Sequence, residues 1–280
     1  MTPTILAPKL KVCAVSYLNT VPLVWGMLHG SQKGLFDLTF RVPAACADLV
    51  AAGQADIGII PSYELSRHKL GIVSGLGIAC RGPVRSILLV SKTPPEAIRT
   101  LAADSSSRTS VELARVILSR RYGAEPRIHR HAPDLGNMLG HADAALIIGD
   151  PALRLTPESL PFRVYDLGQE WMELTGLPMV FAVWAGPHQC LTPAVAEAFR
   201  ESCRWGLEHI EDIVKTEAAP RGFPSELVRR YLTEHVVYEL GLREYEGLET
   251  YLRYAGGEGR NAGDRGKADP KAGLTPQIRL

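Results

Sequence analysis

Few folds accommodate the stretch Ala102-Ala-Asp-Ser-Ser-Ser-Arg-Thr-Ser110 running into Val-Glu-Leu-Ala-Arg-Val-Ile-Leu118. An apolar run ends at Asp104, three serines follow, and an amphipathic helix begins with no linker between. Leu113, Ala114, Ile117 and Leu118 share one helix face, broad enough to pack on a sheet, and leave Glu112 and Arg115 toward water. A strand feeding directly into a sheet-packing helix is the core of a βαβ unit. Helix starts also carry unpaired N–H groups and the positive end of the dipole. The hydroxyls of Ser107, Thr109 and Ser110 therefore gather where a small carboxylate can be held without lysine or metal. Ser107 or Thr109 would serve equally as a plain helix cap, so the neighbouring motifs have to decide.

Short β-branched runs alternate with helical patterns through the first two-thirds of the chain, which predicts α/β architecture with a mainly parallel sheet. Strands are expected near 10–15, 38–42 and 56–60, with a helix over 45–52 closed by Gly53. A second set covers 86–91, 101–103, 126–130, 144–148, 162–167 and 179–184. From Pro193 the period changes: Val195, Phe199, Cys203, Leu207, Ile210 and Val214 recur at helical spacing. Further helices are expected after Ser225 and over 244–254. The two βα sets and the returning strand at 179–184 predict two lobes joined by two crossover segments, with a ligand in the cleft at the strands' carboxyl ends. The expected division is 1–90 plus 185–255 for one lobe and 91–184 for the other; 256–280, polar and nearly without apolar residues, reads as a disordered tail.

At 280 residues the chain can bury a sizeable core. Lys+Arg number 31 against Asp+Glu 30 and aromatics make up 7%, so no basic, base-stacking face for nucleic acid is present. No run is long enough to span a bilayer, and the N-terminus lacks the charged start and apolar core of a signal peptide. Five scattered cysteines without a Cys-x-x-Cys pair fit reduced thiols. A soluble cytoplasmic protein is expected, with a small-molecule partner and no membrane or nucleic-acid partner; the pattern sets no oligomeric state.

Two further motifs point into the predicted cleft. Ser16-Tyr-Leu-Asn-Thr-Val-Pro-Leu23 follows the first strand and presents Tyr17 and Asn19, whose amide suits a hydroxyl or carboxylate. Asp56-Ile-Gly-Ile-Ile-Pro-Ser-Tyr-Glu64 repeats the arrangement with Ser62 and Tyr63. Asn19 would also cap the helix through Val24, and Ser62 would also sit in the first turn of a Pro-started helix. Ser86 stands at the mouth of a crossover strand, while Arg81 and Arg85 read as solvated surface groups. Asp143-Ala-Ala-Leu-Ile-Ile-Gly-Asp150 ends a strand where Gly149 lets the backbone approach a ligand; Asp150 either touches that ligand or caps the helix that follows. His129 and His131 share a strand face but no third ligand has metal-site spacing, and no nucleotide or nucleophile-elbow motif occurs.

Taken in order, Tyr17-Leu-Asn19, the run 56–62, Ser86-Ile-Leu-Leu-Val-Ser91, the run 104–110, the run 143–150, Tyr165-Asp-Leu-Gly-Gln-Glu-Trp171 and Thr175-Gly-Leu-Pro178 resemble the chorismate dehydratases of the futalosine route to menaquinone. The match spans residues 11–255. It implies the two-lobed fold of type II periplasmic binding proteins, no cofactor, no metal, and chorismate as substrate. A sister branch, which cleaves cyclic dehypoxanthine futalosine, has a Thr-rich segment in place of Ser-Arg-Thr-Ser and a histidine where this chain has Gly149-Asp150. A non-catalytic module binding small anions is the other alternative.

The resemblance implies dehydration of chorismate to 3-(1-carboxyvinyloxy)benzoate by a carbon–oxygen lyase. The ring proton beside the enolpyruvyl ether is vinylogously acidified by the ring carboxylate, and loss of the neighbouring hydroxyl makes the ring aromatic. The expected catalytic residues are Asn19 and Ser86. Tyr17, Ser62, Ser107, Arg108, Thr109, Ser110, Gly149 and Asp150 are expected to bind substrate, with Ser107, Thr109 and Ser110 on one carboxylate. Because no histidine or glutamate falls at a matched site position, the substrate's own enolpyruvyl carboxylate is the expected base.

Overall fold

The computed structural model describes residues 9–257, so the expectation for the tail falls mostly outside the described residues. The chain opens with β1 (Lys11–Val15), a 3₁₀ turn at Leu18–Thr20, α1 (Val21–His29), β2 (Asp37–Arg41), α2 (Pro43–Ala51), β3 (Ile57–Pro61) and β4 (Gly71–Cys80). Next come β5 (Ile87–Ser91), β6 (Thr100–Asp104), α3 (Arg108–Tyr122), β7 (Arg127–His131), α4 (Leu135–His141), β8 (Ala144–Ile148), α5 (Gly149–Leu153), β9 (Arg163–Asp166) and α6 (Leu167–Thr175). β10 (Met179–Gly186), α7 (Pro193–Glu208), α8 (Ile210–Arg221), α9 (Ser225–Arg230), β11 (Val237–Glu239) and α10 (Leu242–Ala255) complete it.

Two sheets form, in the orders β11-β4-β10-β3-β1-β2 and β7-β6-β8-β5-β9. Composition explains each place. β3, β5 and β8 are buried at every residue and sit inside their sheets, as continuous apolar runs do when both faces are covered. β2 (Asp-Leu-Thr-Phe-Arg) and β7 (Arg-Ile-His-Arg-His) are mostly exposed and stand at the edges, where charge discourages further strand pairing.

The sheets are mixed rather than mainly parallel. β1 pairs in parallel with β2 and β3, and β6 with β7 and β8. β10 lies antiparallel to β3 and β4, and β5 antiparallel to β8 and β9. β5 and β10 are the strands that follow a passage from one sheet to the other. β5, expected in the first lobe, hydrogen-bonds in the second sheet, and β10, expected mostly in the second, lies within the first. The chain changes sheet through residues 81–86 and 167–178.

The main apolar core runs from the first sheet onto one face of the second, including Leu89, Leu101, Leu113 and Ile117. A smaller cluster of Leu88, Val90, Met138 and Ile147 fills the opposite face under α4. β4 escaped the sequence pattern because Gly71, Gly75 and Gly77 interrupt it. Gly75 has φ +82°, and the β4–β10 pairing changes register along its length, as expected of a glycine-marked bulge.

Candidate active site

Between the sheets lies a cleft lined by Val15, Tyr17, Asn19, Pro43, Pro61, Ile78, Val84, Ser86, Ile87, Ser107, Ser110, Ile148, Gly149, Phe181 and Ala182. It sits at the carboxyl ends of β1, β3 and β8 and at the start of α3. A mostly apolar wall with a few converging polar groups is the usual make-up of a small-molecule site.

The α3 end is built as its sequence requires. Ser107 has extended backbone angles and caps the helix, accepting the Ser110 N–H at 3.2 Å. Its own hydroxyl donates to Ser110 Oγ at 2.8 Å. Ser110 Oγ is thereby filled from behind, and its proton remains for a ligand. Ser86 is prepared in the same way: the Tyr231 phenol donates to Ser86 Oγ at 2.8 Å. Burial pushes the Tyr231 hydroxyl far above its usual range, with hydrogen bonds to Ser86 and Asn19 opposing, so it stays a proton donor.

Ser86 is held by an unusual backbone. Arg85 has φ +68°, the only described non-glycine residue with positive φ. Asp166 fixes that turn, accepting Val84 N–H at 2.9 Å and Arg85 N–H at 2.6 Å. The Arg85 guanidinium reaches back to the Ala152 and Leu155 carbonyls. Such strain persists only where the surroundings over-determine it, and here it sets Val84 and Ser86 on the cleft wall. Arg81 pairs with Glu244 at 2.8 Å. Neither arginine is among the cleft-lining residues.

Gly149 has φ +63° and donates its N–H to Ser86 O at 2.8 Å. The Tyr17 ring covers it so closely that a Cβ there would lie 2.6 Å from Tyr17 Cδ2. Tyr17 OH lies 3.1 Å from Ser106 Oγ. Burial raises the Tyr17 hydroxyl, the bond to Ser106 opposes this, and the charges of Asp104 and Asp150 reinforce it.

Six of the ten residues expected from sequence thus meet at one cleft: Tyr17, Asn19, Ser86, Ser107, Ser110 and Gly149. Four lie behind it. Ser62 Oγ donates to Val180 O at 2.7 Å, and Thr109 Oγ1 accepts the Tyr63 N–H at 3.1 Å. Arg108 pairs with Asp48 at 2.7 Å and with fully buried Glu64 at 3.2 Å. Asp150 neither lines the cleft nor caps a helix; it accepts Leu18 N–H at 2.9 Å and pairs with Arg221 at 2.6 Å. Thr109, Arg108 and Asp150 thereby tie the two lobes together, whereas Ser62 bonds to β10 of its own sheet, with Thr109 Oγ1 3.4 Å away. Tyr231, Phe181 and Pro43 were missed: they come from distant elements with no motif around them, and only the fold unites them.

This architecture is that of the two-lobed periplasmic-binding-protein-like folds. A protein from Archaeoglobus fulgidus superposes with TM-score 0.71 at 18% identity, covering 89% of this chain and 97% of that one. The periplasmic aliphatic sulphonate binding protein of Escherichia coli gives TM-score 0.59 at 13% identity, with coverage of 88% and 86%. Residues 10–256 match the menaquinone biosynthesis family, and the chain belongs to it. Among similar sequences are the chorismate dehydratase of Thermus thermophilus, 32% identical over 86% of this chain and 93% of that protein, and that of Campylobacter jejuni, 26% identical over 85% and 94%. Among the described residues, no helix is long and apolar enough to cross a membrane.

Proposed function

We propose that this chain removes water from chorismate to give 3-(1-carboxyvinyloxy)benzoate, a hydro-lyase step in the cytoplasm on the way to menaquinone. One observation carries the chemistry: the cleft hydroxyls of Ser86 and Ser110 each accept a hydrogen bond from behind, leaving their protons for a substrate rich in carboxylate and hydroxyl oxygens. The names of the two relatives support the same substrate.

Ser110, with the α3 dipole behind it, binds one carboxylate of the substrate, and Asn19 and Ser86 orient the ring. Abstraction of the proton beside the ether sends charge into the ring carboxylate. Donors already aimed at that carboxylate stabilise the dienolate without reorganising. The enolpyruvyl carboxylate, folded over the ring, takes the proton; proximity makes a weak base adequate. The neighbouring C–O bond then breaks and an aromatic ring results. Ser62, Arg108, Thr109 and Asp150 contribute by fixing the cleft's walls.

Purified protein incubated with chorismate should give an aromatic product at the substrate mass minus one water. Tight binding without product would make this an anion-binding protein instead. Asn19→Ala should lower kcat by about 100-fold at unchanged fold, and full activity in that variant would overturn the residue roles.

A further inference from the structure

Expulsion of the ring hydroxyl needs a proton, and the cleft contains one hydroxyl that leads to a carboxyl group. We infer that Tyr17 is the acid that protonates the departing hydroxyl, resupplied through Ser106 by Asp104. The inference rests on the dehydration proposed above.

Tyr17 OH lies 3.1 Å from Ser106 Oγ, and Ser106 Oγ lies 2.6 Å from Asp104 Oδ1. Asp104 ends β6 and is 1% exposed. It also lines a second, polar cavity together with Ser105, Arg67, Arg108 and Arg130. The three groups therefore join the cleft to a separate cavity across the loop 105–107. The other hydroxyls on the cleft wall are backed differently, Ser86 by Tyr231 and Ser110 by Ser107. Asp150, the other acid beside Tyr17, is engaged by Leu18 N–H and Arg221.

A turn alone does not account for the chain of contacts. Asp104 Oδ1 accepts the Ser106 N–H at 2.9 Å, which closes the local loop without Tyr17. Asp104 Oδ2 is buried, and both Ser106 donors reach Oδ1 instead. Burial pushes the Asp104 carboxyl up, with the bonds from Ser106 and from the Ile148 N–H opposing.

With Asp104 protonated, Asp104 donates to Ser106, Ser106 to Tyr17, and the Tyr17 proton points into the cleft. As the C–O bond breaks, its electron pair leaves on oxygen and the Tyr17 proton joins it to form water. Tyr17 then takes the Ser106 proton and Ser106 that of Asp104, reversing all three donors. Asp104 regains a proton from water, which balances the ring proton given up by the base. A phenol is a far stronger acid than water. The burial-raised Tyr17 hydroxyl is therefore still competent toward hydroxide.

The test uses chorismate with Y17F, S106A and S106T, reading kcat, KM, the solvent deuterium isotope effect and melting temperature. Y17F and S106A should each lose about 100-fold in kcat with KM within about threefold of wild type, the size of effect expected of a positioned acid. S106T, which restores a hydroxyl, should recover at least about tenfold of that loss, and its isotope effect should match wild type. Wild-type kcat in S106A, or a loss that S106T does not recover, overturns the relay. A wild-type protein that gives no product overturns the dehydration reading and the relay with it, whereas turnover by wild type and S106A alike removes the relay alone.

Discussion

Tyr231 and Ser86, 145 positions apart, meet through a 2.8 Å hydrogen bond in which the phenol donates. Both are about 1% exposed, so neither side chain can exchange this partner for water. Tyr231→Phe should free the Ser86 hydroxyl to rotate and deny it a fixed direction toward substrate. We expect kcat to fall about tenfold and stability by about 1–2 kcal/mol, the cost of leaving a buried acceptor short of a partner. Steady-state kinetics with chorismate and urea denaturation measure the two effects separately.

Gly149→Ala tests the contact between β8 and Tyr17. The residue sits at φ +63°, where an alanine is strained by about 1–2 kcal/mol. Its Cβ would also fall 2.6–2.9 Å from three Tyr17 ring carbons, so the ring must move. Loss of kcat/KM of about 100-fold with a lowered melting temperature is expected, because the displaced phenol would also leave Ser106. An alanine variant that keeps both activity and stability would show that Tyr17 has room the structure does not give it.

Arg108 joins the two lobes through two ion pairs. Its guanidinium bridges Asp48 on α2 and Glu64 in the 3₁₀ turn after β3. Glu64 is fully buried, with Arg67 and the His68 ring as its other partners. Arg108→Met should therefore destabilise the protein by about 2 kcal/mol, less than loss of a sole buried partner costs, while KM for chorismate changes by less than about threefold. A KM raised tenfold or more at unchanged stability would return Arg108 to the substrate.

The boundary between what the residues announced and what they did not follows the range of the interactions. The strand-to-helix turn at 104–110 was legible because its cap, dipole and amphipathic face are local, and α3 starts at Arg108 with Ser107 as its cap. β3, β5 and β8 were legible as continuous apolar runs. The direction of pairing was not, because β5 and β10 owe their antiparallel places to the passages between sheets, which leave no periodicity. The same limit divides the site. Ser107 and Ser110 line the cleft, yet Thr109 between them faces Tyr63, and a helix start read alone does not say which hydroxyl will meet the other lobe. Tyr231 follows α9 in a segment of π-helix, and its link to Ser86 exists only once α9 packs behind the crossover.

Two aspartates of the second sheet should give opposite pH dependences of stability. Asp104 is raised by burial, with bonds from Ser106 opposing, so its folded-state pKa lies above the unfolded value of about 3.9. The folded chain then holds more protons than the unfolded one in that window, and the contribution of Asp104 falls as pH rises through it. Asp143 is pushed up by burial, but the N–H groups of Arg99 and Thr100 and the Thr100 hydroxyl outweigh this and lower it; each donates to Oδ2 at 2.9 Å. Its contribution is present above about pH 4 and is lost as pH falls through the depressed folded value. Urea midpoints of wild type, Asp104→Asn and Asp143→Asn, taken in steps from pH 3 to pH 8, should show the wild-type advantage over Asp104→Asn shrinking as pH rises. The advantage over Asp143→Asn should grow over the acidic steps and then level off. Parallel curves for the two variants would mean that Asp104 sits in the folded protein as an ordinary carboxylate, and a carboxyl of that kind could not store the proton that the relay to Tyr17 delivers.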